Sequence, residues 1–120
     1  MSASVLVVDD DAEFVWLATE ILNEMGIEVT GSAPTVAEAL TTAKRLRPHA
    51  ALVDVGLPDG DGIELAHRLA ALPWRPRIVL TSSDPETAAR LIDRDGGERH
   101  AFVSKAELPN APLLDLLTGQ

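Results

Sequence analysis

Short apolar runs alternate with segments of helical periodicity along this 120-residue chain. The runs are continuously apolar over three or four positions, which is typical of strands that are buried on both faces. They predict strands at residues 5–8, 27–30, 50–53, 77–80 and 101–103. Elsewhere, apolar residues recur at spacings of three and four, which predicts helices at residues 14–25, 34–46, 63–70, from 85 onward, and at 113–117.

Strands that alternate with helices predict an α/β fold: a doubly wound, five-stranded parallel sheet with helices on both faces. We find no internal repeat and no linker, so residues 1–120 are expected to form a single domain, large enough to bury a core. The polar stretch at residues 93–100 is interpreted as a long flexible loop before the last strand.

The composition narrows the function classes. A net charge of −9 argues against direct binding to nucleic acid or to anionic membranes, which attract basic surfaces. Without cysteine, the chain has no disulfide, thiol nucleophile or thiolate metal site. No secretory signal and no membrane-spanning apolar run are visible, and we expect a cytoplasmic protein. His49, His67 and His100 are scattered along the chain, and we assign none of them to a metal or phosphate site.

Polar side chains stand at the carboxyl ends of four predicted strands. The strand at residues 50–53 ends on Asp54, which is followed at once by glycines and a proline that demand a loop. In an open α/β sheet the carboxyl ends meet at one edge, where the site forms. The residues expected to converge at this edge are Asp9, Asp10, Asp54, Thr81 and Lys105.

Three carboxylates at one edge require a proton or a cation among them. Each close pair repels by about 4 kcal/mol at an effective dielectric constant of 20. Oxygen ligands without histidine or cysteine suit a hard cation, and Mg²⁺ is favoured. A carboxylate can also act as a nucleophile that forms an acyl phosphate. Phosphoryl transfer then needs positioning and charge neutralisation, to which a lysine and a hydroxyl donor contribute.

Four segments contain the expected site residues: VLVVDDD at 5–11, ALVDVGLPDGDG at 51–62, RIVLTSS at 77–83 and AFVSKAEL at 101–108. Together they resemble the receiver domain of bacterial two-component response regulators. The likeness covers essentially the whole chain, with the segments in the right order. It implies a flavodoxin-like sheet with strand order 2-1-3-4-5, and a single receiver domain at residues 1–120 with no output domain in this chain.

The resemblance also implies roles for the acidic residues. Asp54 would be the phosphoacceptor. Asp10 would bind Mg²⁺ directly and Asp9 through water, with Asp54 and the backbone carbonyl of Gly56 as further ligands. Mg²⁺ is therefore the expected cofactor.

By the same resemblance, Thr81 and Lys105 would contact the incoming phosphoryl group. Thr81 and Phe102 would form the switch, since Phe102 stands where the family has a rotating aromatic residue. The family often has a cis proline after the lysine. Ala106 stands there instead, and we expect a trans peptide bond because a cis bond away from proline costs about 2.5–4 kcal/mol.

The expected function is signalling. A histidine kinase would donate the phosphoryl group to Asp54, and the added charge would reshape the face made by the fourth helix, fifth strand and last helix. That face would control homodimerisation, a partner protein or an output domain, with transcription regulation as one outcome. The domain would assist its own phosphorylation and dephosphorylation without being a turnover enzyme.

Three alternatives remain open. A Mg²⁺-dependent hydrolase with an aspartyl-phosphate intermediate usually carries a second acid where this chain has Gly56. A flavodoxin-like redox protein would not place acids where a flavin phosphate must bind. A phosphorylation-independent receiver would keep the fold and act only as a protein-interaction scaffold; the complete set of site residues argues against it.

Overall fold

The computed structural model describes residues 3–96 and 100–119. Seven strands occur in chain order: β1 (Ser4–Val8), β2 (Glu28–Ala33), β3 (Ala50–Asp54), β4 (Gly56–Leu57), β5 (Gly60–Asp61), β6 (Arg77–Ser82) and β7 (Ala101–Ser104). Five of them form a parallel sheet in the order β2-β1-β3-β6-β7, and β4 and β5 form a separate antiparallel hairpin. The predicted order 2-1-3-4-5 is confirmed once the hairpin strands are set aside.

Helices cover both faces of the sheet, as predicted. They are α1 (Ala12–Glu24), α2 (Val36–Leu46), α3 (Gly62–Ala70), α4 (Pro85–Asp95) and α5 (Leu113–Thr118). Val5 and Val7 pack with α1 and α5 in one core cluster, whereas Leu6 and Val8 pack with α2, α3 and α4 in the other. Successive strand residues therefore point into opposite layers, which is why the strands are apolar at every position.

The second strand is longer than predicted. It runs from Glu28 to Ala33 because it pairs with β1 along its whole length, and the Asp9 N–H extends the pairing by donating to the Ala33 carbonyl at 3.0 Å. As an edge strand it is half exposed, so its polar residues hide its extent in the sequence. The following helix begins at Val36 rather than at Pro34, because the Thr35 hydroxyl caps it by accepting the Glu38 N–H.

Two short elements were not predicted. The hairpin that follows β3 carries Asp59 at its tip, and the Asp59 carboxylate accepts the N–H groups of Val36 and Ala37 at 2.7 and 3.2 Å. These two hydrogen bonds lower the pKa of Asp59, and the one from Val36 has the larger effect. They also fix the loop after β3 against the start of α2. The second element is a 3₁₀ helix, Lys105–Asn110, directly after β7.

The polar stretch at residues 93–100 is not a loop throughout. Helix α4 continues to Asp95, and Gly96 ends it in the left-handed conformation with φ 76°. Residues 97–99 of this stretch lie outside the described residues. The helix starts as its sequence predicts, because Asp84 caps it through the Thr87 N–H and Pro85 occupies its first turn.

Within residues 3–96 and 100–119, no helix combines the length and apolar character needed to cross a membrane.

Candidate functional site

The carboxyl ends of the central strands bring the predicted site residues together. Asp54 is the last residue of β3 and lies in register with Thr81 on β6. Thr81 in turn is in register with Val103 on β7, two residues before Lys105. Asp9 follows the last residue of β1. Because all four strands are parallel, these side chains share one edge of the sheet.

Asp9, Asp10 and Asp54 form a compact cluster of carboxylates. One oxygen from each lies within 4.8 Å of the others, and Asp9 and Asp54 are only 3% and 8% exposed. Each buried acid uses one oxygen on the backbone: Asp9 Oδ1 accepts the Asp11 N–H at 2.9 Å, and Asp54 Oδ1 accepts the Gly56 N–H at 3.2 Å. Their other oxygens remain for the site.

A single ammonium group faces these acids among the described residues. Lys105 Nζ lies 2.7 Å from Asp9 Oδ2 and 3.3 Å from Asp54 Oδ2. Burial alone would lower the pKa of Lys105, but the hydrogen bond to Asp9 and the charges of Asp54 and Asp9 outweigh it and raise that pKa. Lys105 is therefore held in its charged form between the two carboxylates.

The surroundings of Asp54 disfavour the ionised form of its carboxyl group. Burial raises its pKa, and the negative charge of Asp9 raises it further, whereas the Gly56 N–H and Lys105 only partly offset these effects. One lysine does not neutralise three acids. The cluster offers only oxygen ligands and has an excess of negative charge, so its donor set fits Mg²⁺.

Thr81 contributes a buried hydroxyl without a partner among the described residues. The residue is 1% exposed, and its Oγ1 makes no hydrogen bond there although it lies in register with Asp54. Leaving a buried polar group unpaired costs about 1–3 kcal/mol. The hydroxyl is thus available to donate to an acceptor that enters the site beside Asp54.

Gly62 allows the first turn of α3 to approach the end of β3. A Cβ on Gly62 would overlap the carbonyl oxygen of Asp54 and lie 2.9 Å from the Val55 Cα. The Gly62 N–H meanwhile donates to the Val55 carbonyl at 3.0 Å. This close backbone contact holds Asp54 in place. At Gly56, by contrast, an added Cβ would meet nothing within 4 Å.

The remaining predicted residues fall near the cluster with less defined roles. Phe102 is half-buried and packs against the core layer of α2, α3 and α4, in register with Leu80. The Lys105–Ala106 peptide bond is trans, as expected, since the described residues contain no cis peptide bond. The Gly56 carbonyl as a metal ligand and the rotation of Phe102 stay predictions.

An apolar groove lies beside Lys105 and was not predicted. It encloses about 840 Å³ and is lined by Asp11, Ala12, Glu13, Phe14, Trp16, Leu17, Lys105 and Ala106. Lys105 Nζ sits 4.6 Å from the centre of the Phe14 ring. Trp16 is 67% exposed in this groove.

Two of the three histidines, although scattered along the chain, come together in the fold. His67 on α3 and His100 before β7 contact each other, with His100 Nε2 3.2 Å from His67 Nδ1. His49 lies apart from them and accepts the Ser4 N–H on Nδ1 at 3.0 Å. A separation of 33 residues gives no sign of the contact.

Comparison with known proteins identifies the family of this chain. A family model described as the response regulator receiver domain matches residues 5–110. A protein-glutamate methylesterase/protein-glutamine glutaminase of Archaeoglobus fulgidus is 32% identical over 112 residues, which cover 93% of this chain and 31% of that protein. An uncharacterized 14.6 kDa protein of Leptolyngbya boryana is 37% identical over 112 residues, covering 91% and 81%. This chain belongs to the response regulator receiver domain family.

Solved structures share the fold. The response regulator domain of Thermotoga maritima CheB is 28% identical and superposes with a TM-score of 0.72, covering 87% of this chain and 78% of that one. A LuxR-family two-component response regulator from Aurantimonas sp. SI85-9A1 is 23% identical, with a TM-score of 0.80 and coverage of 100% and 88%, which supports the fold alone. Among curated relatives, the chain spans about half of a Pseudomonas aeruginosa protein named for transcriptional regulation, and less of the Archaeoglobus protein.

Proposed function

We propose that this receiver domain accepts a phosphoryl group on Asp54 from a phosphohistidine of a histidine kinase. A carboxylate oxygen of Asp54 attacks the phosphorus, the phosphorus–nitrogen bond breaks, and the imidazole leaves with a proton from solvent. The product is an acyl phosphate on Asp54. The observation that carries this proposal is the buried, unpaired Thr81 hydroxyl in register with Asp54, a donor without an acceptor at the point where a phosphoryl oxygen would arrive.

Charge neutralisation explains how the dianionic donor can approach three acids. Lys105 contacts both Asp9 and Asp54, so its ammonium can move toward a phosphoryl oxygen without leaving the cluster. Mg²⁺ held by Asp9, Asp10, Asp54 and the Gly56 carbonyl would offset the remaining negative charge of the carboxylates and phosphoryl oxygens. Since burial and Asp9 already raise the pKa of Asp54, its carboxylate is destabilised and gains by sharing its charge in a new bond.

The Thr81 hydroxyl also explains the proposed conformational switch. Once Asp54 carries a phosphoryl group, Thr81 donates to it and moves inward, and Phe102 fills the space that Thr81 leaves. Phe102 lies on β7 between α4 and α5 in the chain, so its movement reshapes the face made by these three elements. We propose that this face controls homodimerisation, a partner protein or an output domain.

The groove on α1 fits the phosphodonor protein. Lys105 lines this groove and also contacts Asp54 in the acidic cluster. A protein bound on Trp16 and Leu17 would therefore lie next to Asp54. Exposed aromatic residues next to a site are typical anchors for a protein partner. We propose that the kinase docks there when it presents its phosphohistidine.

The experiment that tests phosphorylation is intact mass spectrometry after incubation with acetyl phosphate and Mg²⁺. The unmodified domain is expected to gain one phosphoryl group, and Asp54→Asn none. Asp93→Asn, which changes an exposed acid on α4, is the matched control and should gain the group normally. Omitting Mg²⁺ should abolish the gain in every variant.

A failure of the unmodified domain to gain mass, with acetyl phosphate and with a panel of phosphorylated kinases, would contradict the proposal. That result would favour the scaffold alternative, in which the domain binds partners without phosphorylation. Phosphorylation of Asp54→Asn to the same extent would instead move the acceptor to another residue.

A further inference from the structure

A second cluster of possible ligands lies at the opposite edge of the sheet from Asp54. His67 is on α3, and His100 directly precedes β7, at the amino end of that strand. His100 Nε2 lies 3.2 Å from His67 Nδ1, with the ring centres 5.2 Å apart and the ring planes inclined by 41°. Both residues are half-buried.

The backbone determines which nitrogen of His67 carries the proton. His67 Nε2 lies 3.2 Å from the carbonyl oxygen of Asp95, which can only accept a hydrogen bond. Nε2 therefore carries the hydrogen in the neutral ring, and the lone pair of Nδ1 faces His100. Metal-binding histidines almost always use their second nitrogen in this way, donating it to a carbonyl or carboxylate that fixes the ring.

The distance between the two facing nitrogens matches a shared cation. Two nitrogens at about 2.05 Å from a tetrahedral zinc ion are about 3.3 Å apart. The observed 3.2 Å is therefore the spacing of two ligands on one ion as well as of a hydrogen bond. A cleft of about 520 Å³ opens beside the pair, lined by His67, Ala70, Ala71 and His100, and the two alanines leave room for an ion with its water.

The electrostatic setting does not oppose a cation at the pair. The backbone carbonyl of Asp95 contacts His67, and the pKa of the Asp95 carboxyl group is lowered, first by the hydrogen bond from Arg94. Arg94 balances this carboxylate, so the net charge of −9 on the whole chain only supplements the geometry of the two imidazoles.

We propose that His67 and His100 bind a borderline divalent transition metal ion, with Zn²⁺ as the representative, and that water completes the coordination. The ion would join α3 to the residue that directly precedes β7 and so brace the amino end of a strand on the switching face. Imidazole nitrogens prefer such ions over Mg²⁺, so the two metal sites would differ in selectivity. The proposal is independent of phosphorylation at Asp54.

Calorimetric titration with Zn²⁺ tests the proposal, using untagged protein with excess Mg²⁺ to occupy the acidic cluster. One Zn²⁺ per chain is expected. His67→Gln and His100→Gln should each weaken binding about tenfold or more. His49→Gln is the matched control, since it removes the histidine outside the pair, and Asp54→Asn controls for the acidic cluster; both should bind as tightly as the unmodified chain.

Nitrogen-detected NMR of the histidine rings provides a measurement that needs no variant. Zn²⁺ should shift His67 Nδ1 and His100 Nε2 and leave His49 unchanged. Unaltered affinity in His67→Gln or His100→Gln would overturn the proposal, as would loss of binding in Asp54→Asn. The same holds for a spectrum in which His49 shifts with the others, which would mean nonspecific binding to exposed imidazole.

Discussion

The two edges of the parallel sheet differ in how well their polar groups are paired. At the carboxyl edge, three acids share one lysine, the pKa of Asp54 is raised, and the Thr81 hydroxyl has no partner among the described residues. At the amino edge, polar side chains tie the chain to itself. The carboxyl edge is thus built at a cost in stability, which is typical of a site that awaits a ligand.

The amino edge shows what satisfied polar groups look like in the same fold. His49 Nδ1 accepts the Ser4 N–H, and the Trp74 indole N–H donates to the Pro48 carbonyl at 2.9 Å. The Arg47 guanidinium lies 4.6 Å from the centre of the Trp74 ring. Variants at the two edges should therefore differ: changes at the carboxyl edge alter phosphorylation and in some cases raise stability, whereas changes to Trp74 or His49 at the amino edge lower stability and leave phosphorylation intact.

The largest effect on stability is expected from Gly62→Ala. The new Cβ would overlap the Asp54 carbonyl oxygen, and the atoms that it meets are backbone atoms of Asp54 and Val55, which cannot move aside as a flexible side chain could. We expect the free energy of unfolding to fall by about 3 kcal/mol in urea titrations. Gly56→Ala, on the β4 strand that follows β3, is the matched control and should change the free energy of unfolding by less than about 0.5 kcal/mol. Equal effects of the two substitutions would mean that the close contact does not hold β3 to α3.

The second largest effect is expected from Lys105→Met. It leaves Asp9 and Asp54 facing each other without a cation, and the partly buried setting predicts a loss of about 1–2 kcal/mol. Because the folded pKa of Lys105 is raised, its contribution is complete below the ordinary value of 10.5 and is lost as pH rises through the folded pKa. Urea midpoints measured across that alkaline range should therefore decline in the unmodified protein and stay flatter in Lys105→Met.

Arg94→Gln is the control for this charge change. It removes a surface ion pair with Asp95, in which the arginine side chain is 71% exposed, and no measurable change is expected. A loss in Arg94→Gln as large as that in Lys105→Met would assign the effect to net charge rather than to the buried acids.

The site residues could be predicted from sequence because their placement depends only on strand ends. Asp54 is the last residue of β3 and Thr81 the second-last residue of β6, so parallel pairing alone brings them into register. The need for glycine at residue 62 has another origin, since it follows from how closely α3 approaches β3. No one-dimensional pattern contains that distance.

The features that the sequence did not predict are either elements too short to show a periodic pattern or contacts between residues far apart in the chain. The β4–β5 hairpin has two residues per strand, which is too short to show a period, and its Asp59 cap reaches α2 across the fold. His67 and His100 meet because of the position of α3 on the sheet and the path of the chain into β7. Helix α4 continues through a polar segment because it packs on one narrow apolar side, with Ala88 buried.

A smaller effect of opposite sign is expected from Asp54→Asn. The folded pKa of Asp54 is raised above the ordinary 3.8, so the wild-type residue contributes stability below 3.8 and loses it as pH rises through the folded pKa. Asparagine carries no charge to bury, so the urea midpoint of the variant at neutral pH should exceed that of the unmodified protein. The difference should shrink as pH falls toward 3.8. Added Mg²⁺ should raise the midpoint of the unmodified protein more than that of the variant. A lower midpoint for Asp54→Asn at neutral pH would show that the lost contact with Lys105 outweighs the relief of repulsion.

The smallest effect on stability is expected from Trp16→Ala, and this makes it the sharpest probe of function. The side chain is 67% exposed, so the urea midpoint should not change. If the groove on α1 seats the kinase, however, the rate of phosphoryl transfer from a phosphorylated kinase should fall about tenfold, because exposed tryptophans are common anchors of protein interfaces. Acetyl phosphate needs no docking surface and should phosphorylate the variant at the normal rate.

Trp74→Phe at the amino edge is the converse control. It loses the hydrogen bond to Pro48 and some stability, yet should accept phosphoryl groups from both donors normally. Slowing of both donors in Trp16→Ala would mean that Trp16 supports Lys105 and the acids rather than the partner, because only the acceptor chemistry is common to both reactions.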